Sequence, residues 1–285
     1  MDDPAGFGRP EIPDGGLFDP RSVSWRVHGD PAMALAGLRA LFLQALHPLA
    51  MAGVAEHSAF REDPWGRLYR TAFFIGAVTY GTGEEARQVV DRVRRVHGRV
   101  HGTDPVTGRA YRADDPELLV WVHCSEVDSF LEVARRSGLR LSDAEADAYL
   151  REQAAVARLV GVPEDFPVPD TSAGLAAYFR RVRPDLLVTP AARDAVRFAF
   201  LPPLPAWARW TTPARPAWCG VAGLAFALLP AWARRMYGLP GLSVTDLAAT
   251  AEARALRSVL LRLPRGWREG PHLVAARERW PVLPG

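Results

Sequence analysis

Residues 84–100 read EEARQVVDRVRRVHGRV, and their apolar positions recur every three or four residues. On a helix with about 100° per residue, the apolar side chains fall within about 60° of Val93, whereas every arginine lies at about 100° or beyond. His97 falls at about 40°, inside the apolar stripe, and His101 falls at about 80°, on its margin. The segment therefore predicts an amphipathic helix with one histidine on its buried face.

The same periodicity continues on both sides of this segment, between Gly, Pro and capping residues. It predicts helices over Met33–Leu46, Leu49–Val54, Arg67–Tyr80, Glu84–Val100, Pro116 to about Arg136, Ser142–Val160, Ser172–Val182, Pro190–Phe200, Trp218–Tyr237 and Ser243–Arg262. Residues 102–112 are predicted to be a loop, and no alternating run rich in Val, Ile or Thr predicts a strand. We expect an all-α fold with one multi-helix domain over residues 31–285, preceded by an irregular Pro- and Gly-rich arm over residues 1–30.

The composition excludes several classes of function. The 285 residues include 35 arginines and no lysine, which excludes Schiff-base chemistry and Walker-type phosphate loops. The net charge is only +3, and the arginines are interleaved with 32 acidic residues, so no nucleic-acid partner is expected. Cys124 and Cys219 are far apart in the chain and predict neither a disulfide framework nor a CxxC metal site, which favours a cytoplasmic location.

The most apolar stretch covers residues 217–233 and is interrupted by Gly220, Gly223 and Pro230. Its 17 residues are at the short limit for crossing a bilayer, so it predicts a buried helix or helical hairpin and no transmembrane segment. Contact with a membrane surface stays open. The acidic, Pro-rich N-terminus has no apolar region typical of a secretory signal.

A second histidine, His123, lies on the apolar face of the helix predicted from Pro116. An imidazole on a buried face needs a polar partner, because burying it unpaired is costly. The partner of His97 and of His123 could be a metal or haem iron, or a backbone carbonyl or carboxylate in an ordinary core. The sequence alone leaves both readings open.

Arg67, Arg70 and Thr71 are spaced i, i+3 and i+4, so they share one face of a helix. Two guanidinium groups beside a hydroxyl suit a buried anion such as a carboxylate or propionate, although a solvated first helical turn has the same pattern. His47 and His57 add polar groups to apolar surroundings, where capping and turn roles are the alternatives.

These motifs together resemble a known family. The motif series is Gln44-x-x-His47-Pro48, Gly53-Val54-x-x-His57-Ser58-x-Phe60, Gly66-Arg67-x-x-Arg70-Thr71, Gly81-Thr82-x-x-Glu85-Ala86, Val96-His97-x-x-Val100-x-Gly102, Tyr111-x-Ala113-x-Asp115-Pro116 and Leu118-Leu119-x-Trp121-Val122-His123. Over about residues 30–240 it is similar to the catalytic-domain family of the latex-clearing protein (rubber oxygenase) and of the endoplasmic-reticulum-bound oxygenase of mycophenolic acid biosynthesis.

The resemblance implies a globin-like helical core with extra helices that binds haem b and uses dioxygen to cleave carbon–carbon double bonds. It makes His97 the proximal iron ligand, with His101 as the fallback. It places Arg67 and Thr71 in the pocket across the haem, and Arg70 stands where the latex-clearing protein has a lysine.

The resemblance also implies that His123 lines the pocket, and His47 and His57 are further candidates for contact with the cofactor. The family's distal glutamate corresponds to no single residue, and Glu56 and His57 are the candidates for its place.

Three hypotheses follow. The first is a haem-b-dependent oxygenase that acts with dioxygen on a hydrophobic, unsaturated small molecule, with Arg67, Arg70 and Thr71 as catalytic residues. The second is a non-catalytic haem-binding sensor, or a haem-free helical lipid-binding module that would use residues 217–233. The third is a non-haem iron or zinc enzyme built on His97, His101 and His123. The substrate, the distal iron ligand and the oligomeric state are not determined by the sequence.

Overall fold

The computed structural model of the protein describes residues 12–58, 61–203 and 212–280, which form fourteen α-helices and one β-hairpin. The helices are α1 (Val23–His28), α2 (Met33–Gln44), α3 (Pro48–His57), α4 (Pro64–Tyr80), α5 (Gly83–His97), α6 (Pro116–Arg136), α7 (Asp143–Val160), α8 (Ser172–Val182), α9 (Pro190–Phe200), α10 (Ala214–Ala227), α11 (Ala231–Met236), α12 (Ser243–Leu260), α13 (Arg265–Arg268) and α14 (Pro271–Arg279). The strands are β1 (His101–Thr103) and β2 (Ala110–Arg112), and one 3-10 turn covers Arg183–Asp185. The all-α, single-domain prediction is confirmed.

The main core lies between α2 and α6, which pack together along most of their lengths. Phe42 and Leu43 of α2 and Val120 and Trp121 of α6 are almost completely buried in it. The amphipathic helices α7, α8, α10 and α12 add their apolar faces to the same cluster. The core is continuous because each helix can bury its apolar stripe only against another helix.

Side-chain caps explain where the helices near the candidate site begin. The Thr82 side chain accepts from the backbone N–H of Glu85, and the Glu85 carboxylate accepts from the backbone N–H of Thr82, which forms a capping box at the start of α5. Asp115 caps α6 and is followed by Pro116 in the first turn. These caps determine where the two helices that carry His97 and His123 begin.

Three predicted elements differ from the structure. The irregular arm contains α1, whose Trp25 and Val27 are buried, and residues 1–11 of the arm lie outside the described residues. The predicted loop over residues 102–112 contains the β-hairpin, because strands of three residues are too short to show alternation in the sequence. The helix predicted over residues 218–237 is divided at Pro230, as expected from the missing N–H of proline.

The division at Pro230 makes the apolar stretch of residues 217–233 a helical hairpin, as one reading of the sequence predicted. Leu228 and Leu229 at the bend are completely buried. Over the described ranges, no single helix has both the length and the apolar character needed to cross a bilayer. Helices α2 and α3 reach that length and apolar character only when they are counted together, and the chain bends by 107° between them.

The apolar stripe of α5 is buried in only one half of the helix. Ala86 and Val90 are buried against α4 and α7, whereas Val96 near the C-terminal end is 54% exposed. The helix ends at His97, one turn earlier than predicted. The end of α5 that carries the histidine is therefore less covered by the described residues than the end where the helix begins.

Candidate functional site

His97 is the last residue of α5, and its ring is largely enclosed. Its Nδ1 atom is buried and has no hydrogen-bond partner among the described residues. Burial lowers the pKa of His97, and the negative charge of Asp114 opposes this only in part. The ring is therefore a neutral imidazole near neutral pH, which is the form that binds a metal.

His123 lies two turns into α6 and repeats this situation. Its Nε2 atom is buried without a hydrogen-bond partner in the described part of the chain. Burial, followed by the positive charge of Arg158 on α7, lowers the pKa of His123 to about 4. Two buried, neutral imidazoles with a nitrogen left unpaired are unusual, because such atoms are normally hydrogen-bonded.

The helices α4 and α5 form an antiparallel hairpin around Gly81 and Thr82. Arg67 and His97 both lie 15 residues from Thr82, so each lies near the end of its helix away from the connecting turn. Arg67 is largely buried, and its pKa is lowered by burial and then by the positive charge of Arg70. It donates a short hydrogen bond to Ser58 Oγ at the end of α3, and no carboxylate of the described residues pairs with it.

Thr71 and Arg70 differ in their contacts. The Thr71 hydroxyl donates to the Arg67 carbonyl over 3.1 Å, one turn back on the same face of α4. Arg70 is exposed, and its guanidinium lies 3.1 Å from the carboxylate of Asp63, the N-cap of α4. Arg70 therefore already has an anionic partner, whereas Arg67 has none within the described ranges.

The end of α3 is attached to the β-hairpin that follows His97. His57 Nε2 lies 3.2 Å from the backbone carbonyl of His101, the first residue of β1. Tyr111 of β2 donates a hydrogen bond of 2.5 Å to the Glu56 carboxylate, and burial together with Glu56 raises the pKa of the tyrosine. Glu56 and His57, the two candidates for a distal group, are thus tied to the segment next to α5.

His47 lies in a different environment from the other candidates. Its Nδ1 atom accepts from the backbone N–H of Ala50 over 3.5 Å and caps α3, and its ring lies 5.7 Å from the ring of Trp121. Burial lowers the pKa of His47 to about 4, and the positive charge of Arg109 adds to the effect. The capping role considered from the sequence accounts for these contacts.

The structure links three of the other candidates, Arg67, His57 and His101, at one corner of the fold. A chain of contacts runs from Arg67 through Ser58 to His57 and on to His101. We name this set the histidine corner; it is formed by the end of α3, the first half of α4, the end of α5, the β-hairpin and the first half of α6. His101 is exposed within it. In the ranges that the structure covers, no three His, Cys, Asp or Glu side chains converge, so the non-haem metal site on His97, His101 and His123 is not formed.

Sequence reasoning missed three groups here. The Ser58 hydroxyl and the Tyr111 phenol both bind candidate residues, and their membership of the quoted motifs was the available signal. Glu126, one turn after His123 on α6, is enclosed so that burial raises its pKa to about 7. No sequence signal distinguished Glu126, because a single acid on a helix is normally solvated.

Comparison with known proteins identifies the family. The model of the family described as "ER-bound oxygenase mpaB/B'/Rubber oxygenase, catalytic domain" matches residues 25–262. No curated protein and no solved structure matches the chain. The matched range contains the histidine corner and all the helices from α2 to α12, so this chain belongs to the mpaB and rubber oxygenase catalytic-domain family of oxygenases.

Proposed function

We propose that the protein is a haem-b-dependent oxygenase that acts with dioxygen on a hydrophobic, unsaturated small molecule. Membership of an oxygenase family supports the reaction class. The observation that carries the haem assignment is the buried Nδ1 of His97, which has no hydrogen-bond partner in the described residues. An iron ion would supply the partner that this imidazole lacks.

The residues of the histidine corner fit the groups that a haem presents. His97 would hold the iron, and its lowered pKa keeps the ring free of a competing proton. Arg67 would bind a haem propionate, because it is a largely enclosed guanidinium without a carboxylate of its own. Arg70, already paired with Asp63, would contribute its charge from the rim of the site.

The remaining residues would shape the space next to the cofactor. The Thr71 hydroxyl could donate a hydrogen bond to the substrate when it leaves the Arg67 carbonyl. His123 would line the pocket with a neutral ring, and its free nitrogen can accept or donate one hydrogen bond. Apolar side chains such as Val96 and Phe74 would exclude water from the substrate.

When bound, haem supplies the activation of dioxygen, which no side chain of this protein can perform. The protein's own part is to hold the iron, to bind the propionates and to keep the reacting double bond in a dry, apolar site. Membership of the oxygenase family, together with the apolar stripe of α5 beside His97, favours an apolar substrate with a double bond. The cytoplasmic location stays a prediction.

The visible absorption spectrum of the purified full chain, expressed with added haem precursor, tests the cofactor. We expect a Soret band in the wild-type protein and its loss or a large shift in His97→Ala. The matched control is His101→Ala, which removes an exposed imidazole four residues away and should keep the wild-type spectrum. A protein without a Soret band, or a spectrum unchanged in His97→Ala, would refute the assignment.

Oxygen consumption tests the activity separately from the cofactor. We expect consumption of dioxygen when unsaturated isoprenoids or unsaturated fatty acids are supplied, and none with their saturated counterparts. A Soret band without oxygen consumption would support the non-catalytic sensor instead. A haem-free protein that carries lipid would support the lipid-binding module.

A further inference from the structure

One face of α6 carries two polar side chains between two apolar ones. On a helix with about 100° per residue, four side chains point within about 30° of one direction: Leu119, His123, Glu126 and Phe130. Leu119 and Phe130 are 6% and 3% exposed, so this face is directed into the protein. His123 and Glu126, three residues apart, are therefore neighbours on an inward face of the helix.

Neither of these polar side chains has a partner in the part of the chain that the structure describes. The Nε2 atom of His123 is buried without a hydrogen bond. Glu126 is partly buried, and its carboxyl group forms no hydrogen bond or ion pair with a described residue. Enclosing a polar group without a partner costs free energy of folding, so the pair does not serve to stabilise the fold.

The polar groups of α7 that act on this pair are already engaged. The positive charge of Arg158 lowers the pKa of His123, but the Arg158 guanidinium donates to a backbone carbonyl just after α7. The negative charge of Glu126 raises the pKa of Tyr149, whose hydroxyl lies 3.0 Å from His28 Nε2. Within the described ranges, no third side chain of a kind that binds metals joins the pair. The two side chains are therefore available to an organic ligand.

The protonation states of the pair select the chemical group that it would bind. His123 is neutral near neutral pH, because its pKa is lowered to about 4. Burial raises the pKa of Glu126 to about 7, so this carboxyl group can donate or accept a hydrogen bond near neutral pH. A neutral group that both donates and accepts, such as a hydroxyl, suits such a pair. An anion would be repelled when Glu126 ionises, and a cation would be repelled by Arg158.

We propose that His123 and Glu126 form a polar subsite that binds the hydroxyl group of an otherwise apolar, unsaturated alcohol. Ligand pockets are mostly apolar, and a few polar groups in them fix the orientation of the ligand. The inference rests on the proposed function, in which His123 lines the pocket. The subsite would hold one end of the substrate, so that the double bond lies in the apolar remainder of the pocket.

Isothermal titration calorimetry of the full chain with three small ligands tests the proposal. The ligands are geraniol, geranyl methyl ether, which lacks the hydroxyl donor, and geranylamine, which is a cation. We expect the wild type to bind geraniol at least about tenfold more tightly than the ether, because the ether leaves the polar pair without its hydrogen bond. Glu126→Met should reduce this preference to about twofold or less, since it removes one of the two partners.

The matched control is Glu117→Met, which removes an exposed carboxylate from the first turn of the same helix. It should keep the wild-type preference for geraniol. Thermal unfolding without ligand separates a binding role from a structural one. Glu126→Met should melt at the wild-type temperature or above it, because an apolar side chain of similar size replaces an enclosed polar group without a partner.

Three results would overturn the proposal. The first is a wild type that does not prefer geraniol to its methyl ether. The second is tighter binding of geranylamine than of geraniol, which would assign the pair to a cation. The third is an unchanged preference in Glu126→Met. The first two use the wild type alone, so they decide the matter even where a variant does not fold. Absence of a Soret band would refute the proposed cofactor and leave the comparison of ligands intact, so the two failures are distinguishable.

Discussion

Two buried histidines, His28 and His97, lie in regions that differ in how completely their polar atoms are hydrogen-bonded. His28, at the interface of α1, α4 and α7, has both ring nitrogens paired: Nδ1 lies 2.7 Å from the Thr79 hydroxyl and Nε2 lies 3.0 Å from the Tyr149 hydroxyl. In the histidine corner, the buried Nδ1 of His97 has no described partner. Both rings are kept neutral by burial, so the difference lies in the partners alone.

Two arginines show the same contrast. Arg39 is 2% exposed, and its guanidinium binds the Asp128 carboxylate (2.9 Å), the Ser129 hydroxyl (2.6 Å) and the Leu228 carbonyl (2.9 Å). Arg67, which is only partly buried, binds the Ser58 hydroxyl and no other side chain among the described residues. Buried groups with a full set of partners stabilise the fold, whereas buried groups without one are typical of a binding site.

The largest loss of stability should come from replacing Arg39, the buried charge with a full set of partners. Arg39→Met leaves the Asp128 carboxylate and the Leu228 carbonyl without their donor, and breaking a buried ion pair costs about 3–5 kcal/mol. The free energy of unfolding, measured by urea denaturation, should fall by about that amount. A change below about 1 kcal/mol would show that this guanidinium does not stabilise the fold.

Removing the paired histidine should cost somewhat less. His28→Leu leaves two buried hydroxyls, those of Thr79 and Tyr149, without a partner, at about 1 kcal/mol each. The control is His97→Leu in protein prepared without haem, which breaks no described hydrogen bond of Nδ1 and should change stability by less than about 1 kcal/mol. Equal losses in the two variants would contradict the contrast drawn between the two regions.

The pH dependence of stability should report His28 directly. Burial lowers its pKa from 6.5 to about 3, so between these values the unfolded chain binds the proton and the folded protein does not. Stability therefore falls as the pH falls below about 6.5, by about 1.4 kcal/mol between pH 7.5 and pH 5.5 for this one group. The difference in unfolding free energy between the wild type and His28→Gln should shrink by that amount over the same interval.

The smallest loss of stability should come from replacing Arg67. Arg67→Met removes one hydrogen bond to a hydroxyl and no ion pair, so haem-free protein should lose about 1 kcal/mol or less. The same substitution should weaken haem retention by about tenfold, since a desolvated bidentate contact with a propionate would be lost. Thermal unfolding measures the stability, and haem transfer to a scavenger protein measures haem retention. A large loss of stability in the haem-free form would show that Arg67, like Arg39, stabilises the fold.

Much of the fold was predictable because its signals are local. The capping box of Ser142 and Glu145 and the Asp115 cap mark the starts of α7 and α6 in the sequence and in the structure. The β-hairpin and α1 were not predictable in this way. Their short segments carry too few residues for a period to show, and α1 is fixed by contacts with residues far along the chain, such as the Glu152 carboxylate that accepts from two of its backbone N–H groups.

Part of the candidate site was also predictable. The apolar stripe of α5 placed His97 on an enclosed face, and the resemblance to the oxygenase family, now shown by the family match, pointed to the same residue. The exposure of Val96 could not be predicted from periodicity, because it depends on how far the other elements of the folded protein cover α4 and α5. The pairing of Arg70 with Asp63 was likewise visible only in the folded chain.

The sequence by itself determined the helical fold, the family and the placement of His97 and His123 on apolar helix faces, since these follow from periodicity, caps and motifs within short stretches. Only the tertiary structure decided which buried polar groups are left unpaired. His28 and His97 are alike in the sequence as single histidines among apolar residues, and their partners would have to come from elements tens of residues away. Hydrogen-bond satisfaction is a property of atoms brought together by packing, which no local pattern encodes.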